Sequence, residues 1–293
     1  MSRRRPPVPN LARRRCFLTG AASGIGRATA LAAAGRGAEL HLTDRDGEGL
    51  AETREMVERQ GGRVLRSEVL DVTDHDGVLA LAAAIHAEHG SVDVVMNVAG
   101  VSTWGTIEAL GHEDWEQMID VDLRGPISVL EAFVPAMIAP GRGGHVVNVS
   151  SAAGLLGLPW HAAYSAAKFG LRGVSEVLRF DLRRHRIGVS LVCPGGVATP
   201  LVESARIRGV DPEAPELRKL RDRFARHAVS PERVAEKILA GIERDRYLVF
   251  TSNDIRLAFL AQRWCPPAYE LAMRRLNDRL AATAARAAAR AAS

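Results

Sequence analysis

TGAASGIG, residues 19–26, stands between a short apolar run, CFLTG from Cys16, and a helix-forming segment, GRATALAAAGRG from Gly26. A strand that ends in a glycine turn and passes straight into a helix brings backbone N–H groups and a helix N-terminus to one point. That is where a pyrophosphate binds best. Gly20, Gly24 and Gly26 have the spacing G-x-x-x-G-x-G. A glycine turn by itself is structural as often as functional; at the head of a series of alternating strands and helices it points to a nucleotide.

That series follows. After AELHLTD comes a charged helix from Gly47 to Gln60, then RVLRSEVLD and a helix around 75–89. VDVVMNVAG, a helix near 113–138, GHVVNVSS, a helix around 162–185, GVSLVCPG and YLVF complete the chain's regular part. Apolar runs of strand length separated by helices read as repeated βαβ units. The expected fold is therefore α/β, a Rossmann-type doubly wound parallel sheet of about seven strands in a single domain over residues 15–252, with a C-terminal helical extension over 253–293. Residues 200–230, rich in charge and proline, break the rhythm and read as a substrate lid. In the extension, Leu257, Leu260, Trp264, Leu271 and Met273 are expected to pack on the body rather than line an entrance or rest on a membrane.

The net charge of +5 is unevenly placed. Six arginines precede residue 16 and five more lie from Leu271 onward, leaving about −5 for residues 16–270. A mildly acidic body argues against nucleic-acid binding. Residues 1–14 read as a solvated basic arm. No apolar run is long enough to span a bilayer, which leaves only peripheral membrane contact open. The run after the N-terminal arginines is too short for a secretory signal, so a cytoplasmic location is expected. Cys16, Cys193 and Cys265 show neither C-x-x-C nor His-partnered spacing; they suit buried hydrophobes, not a disulfide frame or a metal site.

Further along, HAAYSAAKFG (161–170) sets Tyr164 and Lys168 four positions apart, one turn of one helix face, with only small residues between. At the end of the second strand, Asp44 falls where a carboxylate would take the hydroxyls of an adenosine ribose and repel a 2′-phosphate, which favours NAD(H). Its neighbour Arg45 could instead pair with that phosphate, so NADP(H) stays open.

Together TGAASGIG, NVAG (97–100), NVSS (148–151), YSAAK (164–168) and PGGVAT (194–199) resemble, in order and spacing, the short-chain dehydrogenase/reductase family over residues 15–252. The resemblance implies an enzyme that interconverts a secondary alcohol and a ketone by hydride transfer. Ser151 would orient the substrate, Tyr164 would be the acid/base and Lys168 would hold the nicotinamide ribose. A phenol with its ordinary pKa of about 10 is a poor base at neutral pH, and a neighbouring ammonium favours the phenolate. The family's cofactor cradle maps onto Gly20, Ser23, Gly24, Ile25 and Gly26 at the phosphates, Asp44 and Arg45 at the ribose, and Asp71 and Val72 beside the adenine. Asn97, Ala99 and Gly100 would lie under the sugar, with Pro194, Gly195, Val197 and Thr199 near the carboxamide. No metal is implied, and a homodimer or homotetramer is.

One position departs from the pattern. Asp122, in WEQMIDVDLRG, stands where the family carries an asparagine that helps fix the lysine through a water relay. A carboxylate cannot donate from a side-chain N–H and would bring negative charge toward Lys168. An alternative reading follows, in which the fold binds nucleotide as a regulatory protein with impaired turnover; the intact Ser151, Tyr164 and Lys168 argue against it. Leu155, Leu156, Leu158, Trp160 and Leu201 suggest an apolar wall suited to a hydrophobic alcohol or ketone, or else core.

Overall fold

The computed structural model describes residues 7–201, 206–210, 214, 215, 218 and 228–291. Seven strands are β1 (Arg15–Thr19), β2 (Glu39–Asp44), β3 (Arg63–Val69), β4 (Val94–Asn97), β6 (Gly144–Val149), β7 (Ile187–Cys193) and β9 (Leu248–Phe250). They form one parallel sheet in the order β3-β2-β1-β4-β6-β7-β9. Every residue of β6 and β7 is buried, as expected of a sheet covered on both faces, whose strands carry no polar alternation. β3 at the edge is the exception. Its residues are half-buried or exposed and include Arg63, Arg66 and Glu68, charges that discourage a further strand from pairing.

The helices are α1 (Gly24–Gly35), α2 (Gly47–Arg59), α3 (His75–His89), α4 (His112–Ile119), α5 (Gly125–Ile138), α6 (Ala162–Asp181) and α7 (Pro231–Glu243). Their starts are written in the sequence: Asp46, Asp74 and Ser230 each accept from a backbone N–H in the first turn of α2, α3 and α7. Leu18, Leu40 and Met96 share one core with Ala30 and Ala33 of α1 and with Ile238 and Leu239 of α7. Phe17, Val95 and Val146 face the other way, onto Ile85 of α3 and Phe133 of α5. The order of strands reverses between β1 and β4, which opens a crevice at their carboxyl ends.

Four features depart from expectation. Part of the expected solvated arm lies on the body: Val8 and Leu11 are each 1% exposed, and Arg13 N–H donates to Gly37 O at 2.7 Å, while residues 1–6 lie outside the described residues. The helix expected at 113–138 is two helices joined by a π-helical turn over Asp120–Arg124. A two-stranded parallel ladder, β5 (Thr103–Trp104) with β8 (Arg206–Ile207), carries part of the expected lid segment; most of 200–230 lies outside the described residues. Finally, α8 (Asn253–Trp264) and α9 (Pro266–Ala291) form the extension, but the packed residues are Ile255, Ala258, Phe259 and Tyr269 against the body and Ala287 against Ile207, Val210 and Ala214. Leu257, Leu260, Trp264 and Leu271 face outward, and Cys265 is exposed whereas Cys16 and Cys193 are buried. Among the described residues no helix is long and apolar enough to cross a membrane.

Candidate active site

The glycine turn between β1 and α1 is built for close approach. Gly20 has φ +71°, and a Cβ there would meet Ala99 N at 2.6 Å; a Cβ on Gly26 would stand 1.8 Å from Gly20 O. Thr19 Oγ1 accepts from the N–H groups of Val98 and Ala99, both at 3.1 Å, which ties the end of β4 to the turn. Asp44 Oδ2 accepts from Ala22 N–H at 2.9 Å and Oδ1 from Asp46 N–H at 3.0 Å, so the carboxylate at the tip of β2 is aimed before any ligand arrives.

These elements border a cleft of about 380 Å³. It runs from Asp44 and Arg45, past Asp71 and Val72, over Gly20, Ser23, Gly24, Ile25 and Gly26, to Ala99, Gly100 and Thr199. Bare backbone at the turn, a helix N-terminus facing the cleft and a carboxylate at one end fit an elongated dinucleotide.

Of the expected cofactor residues, Asn97, Tyr164, Lys168, Pro194, Gly195 and Val197 do not border this cleft. Asn97 is 2% exposed, and its amide donates to Asn148 Oδ1 at 2.9 Å while Asn148 donates to Ser175 Oγ at 2.9 Å. It braces β4, β6 and α6 and does not face the cleft. Pro194 O accepts from Ala152 N–H at 2.6 Å, Gly195 is covered by Ile255, and Val197 is buried. The cleft instead includes Leu70, Ser102, Thr103, Gln117, Val121 and Arg206, none of which any motif marks.

Beyond the cleft's inner end sits the Tyr164 corner. Ser151 follows β6 and accepts from Ala153 N–H at 3.1 Å, which fixes its hydroxyl at the start of a short turn. Tyr164 and Lys168 rise from α6, 8% and 3% exposed. Lys168 Nζ donates to Val149 O at 3.2 Å and lies 5.6 Å from the centre of the Tyr164 ring. Its third partner is Asp122, whose Oδ1 stands 3.1 Å away in a direct ion pair. The π-helical turn adds one residue to the helical repeat and carries Asp122 inward. There it is fully buried, accepts from Val101 N–H at 3.2 Å, and keeps Oδ2 without a hydrogen bond.

Burial governs the charges in this corner. It raises the Asp122 pKa, with the Lys168 ammonium opposing. For Lys168 burial works downward, but the carboxylate of Asp122 and the phenol of Tyr164 outweigh it and the pKa is raised. Tyr164 is also raised, first by burial and then by Asp122, while Lys168 and a hydrogen bond from Ser151 pull the other way. At neutral pH Tyr164 is a proton donor.

The expected apolar wall divides. Leu155 and Leu156 are core, Leu158 packs near Tyr164, and Leu201 borders the cleft. Trp160 has φ +67° and its carbonyl accepts from Gly105 N–H at 2.8 Å. The His161 ring centre lies 6.3 Å from that of Tyr164 and 4.5 Å from that of Trp104, and no motif marks either residue.

The family model described as short chain dehydrogenase matches residues 14–208. The chain belongs to the short-chain dehydrogenase family. It is 36% identical over 255 residues to the putative oxidoreductase SadH of Mycobacterium tuberculosis, covering 86% of this chain and 91% of that one. Among solved structures it is similar to a short-chain dehydrogenase/reductase of Burkholderia phymatum in complex with NAD, with a TM-score of 0.79, 28% identity, and coverage of 87% and 94%. A metagenomic short-chain oxidoreductase in complex with NADP gives a TM-score of 0.65, 32% identity, and coverage of 82% and 96%. This short-chain dehydrogenase is thus an NAD(P)-dependent oxidoreductase, and Ser151, Tyr164 and Lys168 meet in one corner of it.

Proposed function

We propose that the protein interconverts a secondary alcohol and a ketone on an apolar substrate, with NAD(H) preferred. The observation that carries this reading is the buried Tyr164–Lys168 pair beside Ser151, with Lys168 Nζ next to Gly100 of a cleft shaped for a dinucleotide. The nicotinamide supplies the hydride donor or acceptor when bound. Tyr164 moves the proton at the carbinol oxygen, giving it in reduction and taking it in oxidation. Ser151 holds the same oxygen, and Lys168 holds the ribose. Asp44 supports NAD(H), since its carboxylate repels a 2′-phosphate; Arg45 is the group that would reverse the preference.

Asp122 has a role of its own in this reading. It keeps Lys168 charged, yet its negative charge also favours the phenol form of Tyr164, so the site is biased toward reduction near neutral pH. Residues 15–252 would form the dinucleotide-binding and catalytic domain of a cytoplasmic homo-oligomer. The exposed Phe169, Val177 and Phe180 of α6 supply an apolar face for self-association.

Titration with NADH and NADPH, followed by turnover of apolar, sugar and acidic ketones, tests the proposal. Tyr164→Phe is expected to lower turnover by roughly 10²–10⁴-fold with cofactor binding unchanged. Turnover confined to sugars or acids would remove the apolar substrate class. Tight cofactor binding without turnover on any panel member would leave a nucleotide-binding protein in its place.

A further inference from the structure

The extension presents a surface that no part of the described chain covers. α8 rests on Leu155, Leu156 and Cys193 through Ile255, Ala258 and Phe259. On its other side Leu257, Leu260 and Trp264, at i, i+3 and i+7, form a single stripe that is 65%, 39% and 76% exposed. Leu271, at the start of α9, is 50% exposed. The mount is rigid. Tyr269 Oη accepts from Gly157 N–H at 2.9 Å, and Ile255 packs over Gly195.

Charge accompanies the stripe. Residues 253–293 hold seven arginines against three carboxylates. Arg256 and Arg263 flank the stripe on α8, and Arg275 and Arg279 follow on α9; all four are exposed, and among the described residues none is ion-paired. The Arg263 guanidinium lies 5.8 Å from the Trp264 ring centre. An apolar row with a tryptophan at its end and unpaired arginines along its side is the pattern of a helix that lies in the headgroup region of an anionic bilayer.

A second copy of the chain suits this face less well. A stable protein interface covers about 800 Å² on each partner, far wider than one helical row. Two copies meeting here would also set Arg256 and Arg263 near their own counterparts with few carboxylates to receive them. We infer that the outer face of α8 and the start of α9 form a docking surface for an anionic lipid membrane.

The test is sedimentation of the full-length protein with phosphatidylcholine vesicles, with and without phosphatidylglycerol, at low and high salt. The wild type is expected to sediment with the anionic vesicles and to be released by salt. Arg256→Gln with Arg263→Gln should weaken that binding about thirtyfold, at roughly 1 kcal/mol per arginine near an anionic surface. Leu257→Glu with Trp264→Glu should abolish it while NADH binding and the melting temperature hold, because both side chains are exposed. The inference is overturned if the wild type binds neither vesicle. It is equally overturned if both double variants bind like wild type, which would assign the attraction to Arg3, Arg4 and Arg5. A third overturning result is a wild type that ignores vesicles while Leu257→Glu with Trp264→Glu lowers its mass in ultracentrifugation, which would assign the face to a second copy.

Discussion

Among the described residues, two groups of titratable side chains gather in or beside the core, and they meet the cost of burial in opposite ways. Beside Tyr164, Lys168 and Asp122 face each other at 3.1 Å as a buried ammonium–carboxyl pair. Between β2 and α3 the buried His41 lies beside the half-buried His86 and His89: the His41 and His89 rings are 5.1 Å apart, Glu88 stands 3.8 Å from His89, and neither ring nitrogen of His41 has a hydrogen-bond partner among the described residues. Burial first, then repulsion from His89, Arg15 and Arg66, lowers the His41 pKa from 6.5 to about 4. The first cluster sets opposite charges against each other; in the second, His41 is tolerated only while it is neutral.

Breaking the first cluster should have the largest effect on stability. Lys168→Met leaves Asp122 buried without its counter-charge, which costs about 3–5 kcal/mol. Chemical denaturation at neutral pH measures it, and a loss under about 1 kcal/mol would mean that Asp122 takes up a proton at little cost. Turnover should vanish as well, so the stability reading must come from denaturation and not from assay.

The histidine cluster should dominate acid sensitivity. The folded pKa of His41 is depressed, so the unfolded chain binds more protons there between about pH 6.5 and pH 4. Stability is then fully present above about 6.5 and is lost as pH falls toward 4, by about 3 kcal/mol for His41 alone. His145, which burial lowers to about 3, extends the same loss to lower pH. In His41→Leu the fall between pH 6.5 and 4 should shrink by that amount. A denaturation series whose pH slope is unchanged would show that the cluster opens to water before it titrates.

The two clusters also differ in how far the chain announces them. YSAAK declares itself, because a spacing of four on a helix places Tyr164 and Lys168 on one face whatever the tertiary context. Parallel strands buried on both faces read as unbroken apolar runs, and for the same reason the seven strands are legible. The histidines carry no such mark: His41 comes from β2 and His86 and His89 from α3, and only strand register brings them together. Asp122 is visible as a residue type but not as a contact, since nothing in DVDLR signals the π-helical turn that drives it against Lys168. Asn97 has a related cause, for alternation along β4 decides which face of the sheet its side chain leaves, and a four-residue strand fixes that phase weakly. In α8 both Ile255/Phe259 and Leu257/Leu260/Trp264 are apolar rows, so periodicity gives two candidate faces and only the structure tells which one meets the body.

The finest distinction within the first cluster lies between charge and hydrogen bonding at Asp122. Asp122→Asn keeps the shape and an oxygen for Val101 N–H but removes the negative charge that raises both Tyr164 and Lys168. Oxidation requires the phenolate, so the rising limb of its pH–rate profile should move to lower pH, by about one unit if the carboxylate contributes about 1.4 kcal/mol. Reduction requires the phenol, and its falling limb should move the same way. A shift of both limbs in one direction isolates the charge on Tyr164. If instead both rates drop at every pH with the limbs in place, Asp122 serves only to position Lys168, and the bias toward reduction must arise from the burial of Tyr164 itself.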